Sequence, residues 1–183
     1  DRVDEAFAGD IIGIIARGGL QLGDTVTEGE SLQYTGLPFF APELFRSVEL
    51  LDPMRSKQLY RGLQELGEEG AIQVFRPVLG NAMLLGAIGQ LQFEVVAHRL
   101  KSEYGVEVRM APANYFGARW VSADDPAELR RFCEDNKAKM ATDAAGEPAY
   151  LLGSRFDLEL TQKHWPLIHF HAMREHAGLE LQS

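Results

Sequence analysis

Between Leu44 and Met110 the hydrophobic positions switch back and forth between two periods. "LFRSVELLD" reads as a strand, and the stretch after Asp52 places Leu59, Leu63 and Leu66 at helical spacing. That helix is punctuated at both ends: Asp52 suits the N-cap, Pro53 the first helical position and Gly70 the stop. "AIQVFRPVL" and "AMLLGAIG" flank a Gly80-Asn81 turn and predict a hairpin. "QLQFEVVAHRLKSEY" then gathers Phe93, Val96, Ala97, Leu100 and Tyr104 on one helical face, and Gly105 ends it. "VEVRM" alternates strictly, with Val106, Val108 and Met110 facing in and Glu107 and Arg109 facing out. The order β-α-β-β-α-β is the split βαβ, or ferredoxin-like, arrangement. The fold class is therefore α+β, with a ferredoxin-like core at about residues 44–112.

The flanks extend this picture in both directions. Residues from about 113 to 176 continue in a looser α/β style. "ARWVSA" predicts a strand and "DDPAELRRFCEDNKAKM" a helix with Asp125 at the N-cap, Pro126 first and Glu128 in the capping-box position. Leu129, Phe132, Cys133 and Met140 would line its inner face. "EPAYLLGS" reads as a strand, "SRFDLELTQKHW" as a helix and "LIHFHAM" as an alternating final strand, with "AGLELQS" frayed. Two related α/β units side by side would account for the pattern. Residues 1–37 are dense in Gly, Asp, Thr and Ser with short apolar pieces between, which predicts two or three short strands. So few strands cannot bury a core alone. With no start methionine, they are expected to be the tail end of a larger β-domain, joined by a linker near Leu37–Glu43 to an α/β domain over 38–183.

Composition narrows the function classes. The 183 residues are 45% hydrophobic and 25% charged, as in a soluble globular protein. No apolar run reaches bilayer length, and the acidic start lacks the features of a signal peptide. A single cysteine, Cys133, excludes an internal disulfide framework and fits a reducing cytoplasm. The net charge of −9 divides as −5 over residues 1–37, −1 over 43–110 and −3 over 111–183. No block is basic, so neither DNA nor a membrane surface is an expected partner, and any RNA contact would need a local patch.

Candidate chemistry is sparse. Gly86 and Gly89 sit at a strand-to-helix corner that could cradle phosphate. Their G-x-x-G spacing matches neither a P-loop nor a dinucleotide fingerprint, and none of the eighteen glycines is followed by lysine. A turn or close-packing role suits Gly89 better. Asn136-Lys137-Ala138-Lys139 lacks the aspartate of a guanine-reading N-K-x-D loop. His169 and His171 would face one way from a strand and could share a metal, but two ligands fall short of the usual zinc set. A polar sheet face explains the pair as well, so no metal, catalytic or cofactor residue is assigned. The densest basic run is Arg130, Arg131, Lys137 and Lys139, expected on one helix beside Arg119. It could form a contact patch for RNA or protein, although Glu128, Glu134 and Asp135 interleave it.

Several long stretches carry a resemblance. They are "GDIIGI", "LQLGDTVTEGESLQYTGLPFFAPELFR", "KQLYRGLQELGEEGAIQVFRP", "GAIGQLQFEVVAHRLKSEYGVEV", "ARWV" and "AYLL". In that order they resemble the C-terminal part of the peptide chain release factor 3 family of bacterial translational GTPases. Elongation factor G is the nearest competitor, but it usually has "GELHLE" where this chain has "GQLQFE". The resemblance implies that residues 1–37 end the second, β-barrel domain and that the rest is the third domain with the family's C-terminal extension. The GTP/GDP- and Mg-binding domain would precede residue 1, leaving this chain non-catalytic. The implied role is a ribosome-contacting module of a cytoplasmic termination GTPase that drives decoding-class release factors off the ribosome after peptide release. Arg119, Arg130, Arg131, Lys137 and Lys139 are the candidate contact residues. The exposed edges of the N-terminal strands would be covered by packing on the third domain or by a second copy, giving a dimer. An alternative is a small-molecule-sensing regulatory domain, with a ligand held between two ferredoxin-like units. It calls for a compact apolar pocket with convergent polar groups at that interface.

Overall fold

The computed structural model describes residues 5–15, 25–29 and 38–175. The strand expectation for residues 1–37 falls largely outside these; stretches 5–15 and 25–29 contain a turn at residues 8–9 and no strand.

The first unit follows the predicted order. Strand β2 (Leu44–Leu50) leads through a 3-10 turn at Pro53–Arg55 into helix α1 (Ser56–Glu68). Strands β3 (Gln73–Pro77) and β4 (Met83–Ala87), helix α2 (Gln90–Tyr104) and strand β5 (Val108–Pro112) complete it. Asp52 caps as expected, accepting from the Met54 N–H at 3.0 Å. All neighbouring strands are antiparallel in the order β5-β2-β4-β3. In unit numbering this is 4-1-3-2, the ferredoxin-like order.

The second unit repeats the first. Strand β6 (Gly117–Ser122), helix α3 (Pro126–Asp135), strands β7 (Met140–Asp143) and β8 (Pro148–Leu152), helix α4 (Asp157–His164) and strand β9 (His169–His171) follow in turn. Their sheet order is β7-β8-β6-β9, or 2-3-1-4, and β7 pairs with β3. Two ferredoxin-like units thus join edge to edge into one eight-stranded antiparallel sheet of mirrored order. Local chemistry repeats with the topology. Asp125-Pro126 starts α3 as Asp52-Pro53 starts the first helical segment. Gly80 and Gly146, at φ +92° and +89°, occupy the corresponding hairpin turns.

The four described α-helices all cover one face. On β3, Val74 and Arg76 point towards α1, and Arg76 Nη2 donates to Gln64 Oε1 at 3.1 Å. Thr142 lies opposite Arg76 across the β3–β7 pair, so Met140 faces the same way, against Phe132 of α3. The intervening residues point to the other face. There Phe45, Phe75 and Leu84 of the first unit meet Ala118, Trp120, Ala141, Ala149 and Leu151 of the second in a shared inner core. The Phe75 and Trp120 rings lie 6.5 Å apart although their strands are three positions apart, about 14 Å in a flat sheet. The sheet therefore curls over this inner face.

Three expectations are corrected. The linker near Leu37–Glu43 contains strand β1 (Pro38–Phe40), which pairs with β10 (Met173–Glu175). The final strand is two strands, β9 and β10, interrupted at Ala172. The helix expected over "DDPAELRRFCEDNKAKM" ends at Asp135; Lys137–Lys139 form a 3-10 turn and Met140 opens β7. The Asn136 N–H and its side-chain amide both bond back to the Phe132 carbonyl, and the chain turns there. Met140 keeps its inward direction, but from the sheet.

Candidate functional site

The glycine corner is built for packing at one position only. A Cβ on Gly86 would lie 2.5 Å from Pro42 Cγ and 3.0 Å from Phe75. Gly89 stands at φ −131°, ψ 152°, a conformation open to any residue, with nothing within 4 Å of a Cβ. The turn or packing need expected of Gly89 therefore belongs to Gly86. Gln92 Oε1 accepts the Ile88 and Gly89 N–H groups at 2.9 and 3.2 Å, so a protein carbonyl holds donors that a phosphate cradle would use.

The candidate basic residues do not form one patch. Arg130 is exposed on α3. Arg131 lies 3.8 Å from Glu128, 4.0 Å from Asp135 and 5.4 Å from the Trp165 ring. Lys137 Nζ is 2.5 Å from Glu134. Arg119 stands on β6, half-buried, with Nη1 donating to the Ala118 carbonyl at 2.6 Å. Lys139 turns towards α4 and meets Asp157 Oδ1 at 2.6 Å. Arg131 and Lys137 are thus both paired with neighbouring acids.

Lys139 belongs instead to a polar network that no local sequence signal announces. Asp157 accepts from Lys139, from the Gly153 N–H at 2.9 Å and from the Tyr150 hydroxyl at 3.3 Å. Tyr150 also bonds to the Thr161 hydroxyl at 3.1 Å. Burial alone would raise the Asp157 pKa; the Lys139 ammonium and the Gly153 N–H outweigh it and hold the carboxyl below its ordinary value. The arrangement fastens α4 to β8. Its only route to detection was through space, since Asp157 is eighteen residues from Lys139.

A second polar cluster joins α1 to α2. Arg99 bridges Glu69 at 2.5 Å and Glu103 at 2.6 Å, and the Tyr104 hydroxyl donates to Glu65 at 2.6 Å. Burial, then the adjacent Glu65 carboxylate, pushes Tyr104 up to about 12. Gln58, Arg61, Glu65, Glu103 and Tyr104 line a shallow groove there, away from the seam between the units. At the seam, a Cβ on Gly67 would lie 3.3 Å from both Ala144 and Val74, and Gln64 donates to the Ala144 carbonyl at 3.0 Å. The seam is packed, not hollow.

His169 and His171 do share a side of β9, with ring centroids 6.5 Å apart, and both are exposed. His171 Nε2 contacts the Ser122 hydroxyl at 2.7 Å, and His169 Nε2 is 3.7 Å from Asp124. Among the described residues no three metal-ligating side chains converge. Cys133 is half-buried, and burial raises its pKa, so its thiolate is disfavoured. No described helix is long and apolar enough to cross a membrane.

Known proteins share this sequence over nearly its whole length. The peptide chain release factor 3 of Nitrosomonas eutropha is 60% identical over 181 residues, 99% of this chain and 34% of its own length. The protein of that name from Bordetella avium is 60% identical over 177 residues, 96% of this chain and 33% of its own. The chain thus spans about one third of the length of these curated relatives. The family model described as "Class II release factor RF3, C-terminal domain" matches residues 34–162, from before β1 into α4, and so takes in the first unit and the second as far as α4. The chain belongs to the family of class II release factor RF3 C-terminal domains.

Proposed function

We propose that this chain is the ribosome-contacting, non-catalytic C-terminal module of a cytoplasmic translation-termination GTPase that promotes departure of decoding-class release factors after peptide release. GTP/GDP and Mg would be bound by another part of the whole protein. The observation that carries this reading is the match across both units to relatives named peptide chain release factor 3. The surface supports it: the polar clusters tie elements to one another, as a strut that transmits movement requires. Arg130, which has no ion-pair partner among the described residues, is the strongest single candidate for an anionic or ribosomal-protein contact, with Arg119, Arg131, Lys137 and Lys139 as secondary ones.

Ribosome co-sedimentation tests the proposal. The chain should pellet with ribosomes at low salt, and Arg130→Glu combined with Lys137→Glu should reduce the pelleted fraction. A Lys163→Glu control should leave it unchanged. Undiminished pelleting of the double variant removes this patch from the contact surface, and no pelleting of the parent chain removes the ribosome-contact role. A titration with fluorescent GTP should show no saturable micromolar binding by this chain. Sedimentation equilibrium reads the dimer expected from uncovered N-terminal strands.

A further inference from the structure

The two ends of the described α/β region meet. Among the described residues strand β1 pairs only with β10, antiparallel, with Pro38 opposite Glu175, Phe39 opposite Arg174 and Phe40 opposite Met173. The ladder continues as the Ala41 N–H donates to the Ala172 carbonyl at 2.7 Å. One residue later Pro42 is buried against Gly86 and Phe75, and the Glu43 N–H bonds to the Ala87 carbonyl at 3.2 Å as the chain enters β2. On the other side, Ala172 directly follows β9.

In the sheet β2 is the second strand and β9 the eighth. Six strand spacings would separate them by about 29 Å in a flat sheet. The ribbon β1–β10 nevertheless joins the residues leading into β2 to those leaving β9. It spans the open side of the curl, over the inner core where Phe45, Phe75 and Trp120 meet. A second donor reinforces it, because Gln73 Nε2 on β3 bonds to the Phe40 carbonyl.

We infer that the β1–β10 ribbon is a strap that holds the two units closed over their shared inner core, and that residues preceding β1 act on that core through it. A pull on β1 would load Ala41, Pro42 and then Phe75, and release of β10 would let β6 and β9 swing away from β2. Trp120 would report both, since it is buried in the inner core and its strand pairs with β9.

The test uses the full chain in a Trp165→Phe, Cys133→Ala background, so that Trp120 is the sole tryptophan and no native thiol remains. A variant truncated after His171 keeps β9 and loses β10. Its Trp120 acrylamide quenching constant should rise several-fold and the Ala41 amide should lose hydrogen-exchange protection, while amides of α1 and α2 stay protected. As a second variant, Phe39→Cys with Arg174→Cys places thiols at paired positions whose Cα separation in an antiparallel ladder lies within disulfide reach. Oxidation should lower Trp120 quenching below that of the reduced form. Lost Ala41 protection with unchanged Trp120 quenching would overturn the inference, because the ribbon would then be a passive terminus. Failure of the cysteine pair to oxidise would overturn the register on which it depends.

Discussion

At Gly86 and Gly89 the same residue type does two different jobs three positions apart. Gly86 is required by space, so Gly86→Ala should cost about 1–3 kcal/mol, the usual penalty for forcing an atom into a packed site. Gly89 is required by nothing around it. Its backbone already has N-cap geometry and Gln92 already supplies the return half of a capping box. Gly89→Ser should therefore offer the Gln92 N–H a side-chain acceptor beside its long 3.3 Å bond to the Gly89 carbonyl, and stabilise by about 0.3 kcal/mol. Urea unfolding of the two variants checks both signs, and a destabilised Gly89→Ser would mean that the corner has an occupant or constraint beyond its own packing. Asp157 offers a second test at this scale. Its folded pKa is below the ordinary carboxylate value of 3.8, so its contribution is present above that pH and lost as pH falls below it. Asp157→Asn should cost about 1–3 kcal/mol at neutral pH through the Lys139 and Gly153 contacts, and the gap to the parent should close in acid. A gap that persists unchanged at pH 2 would show that the loss does not come from the carboxylate's charge.

The first helical segment and α3 show how much of an element is legible locally. Both begin with Asp-Pro, and in both the aspartate accepts from the N–H two residues on, at 3.0 Å for Asp52 and 2.8 Å for Asp125. Removing either cap, as Asp52→Ala or Asp125→Ala, should cost about 1 kcal/mol, and thermal unfolding followed by helical circular dichroism should show similar losses for the two. A loss at Asp52 alone would mean that α3 is held by packing of Phe132 and not by its start. The caps, the leucine stripe of α1 and the order of the first unit were readable because each signal lies within a few residues. The end of α3 was not, because periodicity continued through Met140, a residue that points inward equally well from a strand. Gly62 also escaped notice. Nothing in α1 reveals that a Cβ there would lie 2.8 Å from Leu100 and 2.9 Å from Tyr104, since that closeness is a property of the α1–α2 crossing. The candidate basic run failed to assemble for the same reason. Sequence proximity put Lys139 beside Arg130, and the 3-10 turn carried it to Asp157.

At the scale of the whole molecule, the decisive feature is that neither unit owns the inner core. A lone ferredoxin-like unit can leave one sheet face to water, and then that face is polar. Here Phe45, Phe75 and Leu84 of the first unit are at most 5% exposed, because Trp120, Leu151 and their neighbours cover them. The β3–β7 pair also removes the open edge that each unit would otherwise present. Trp120 Nε1 donates to Asp143 at 2.9 Å, and Asp143 in turn accepts from the Ala145 and Glu147 N–H groups, which links the inner core to the hairpin turn that follows β7. The two units should therefore unfold together. Trp120 fluorescence and helical circular dichroism should give one coincident urea transition with a single midpoint. Residues 38–112 alone should bind a hydrophobic dye and lack a cooperative transition, because separation exposes the three apolar side chains and the whole edge of β3. Two resolved transitions, or a cooperatively folded 38–112 piece, would show that the halves are independent domains that merely touch. Coincident unfolding would mean instead that a force arriving at β2 is felt at β9 through one continuous sheet, which is the mechanical property a strut needs.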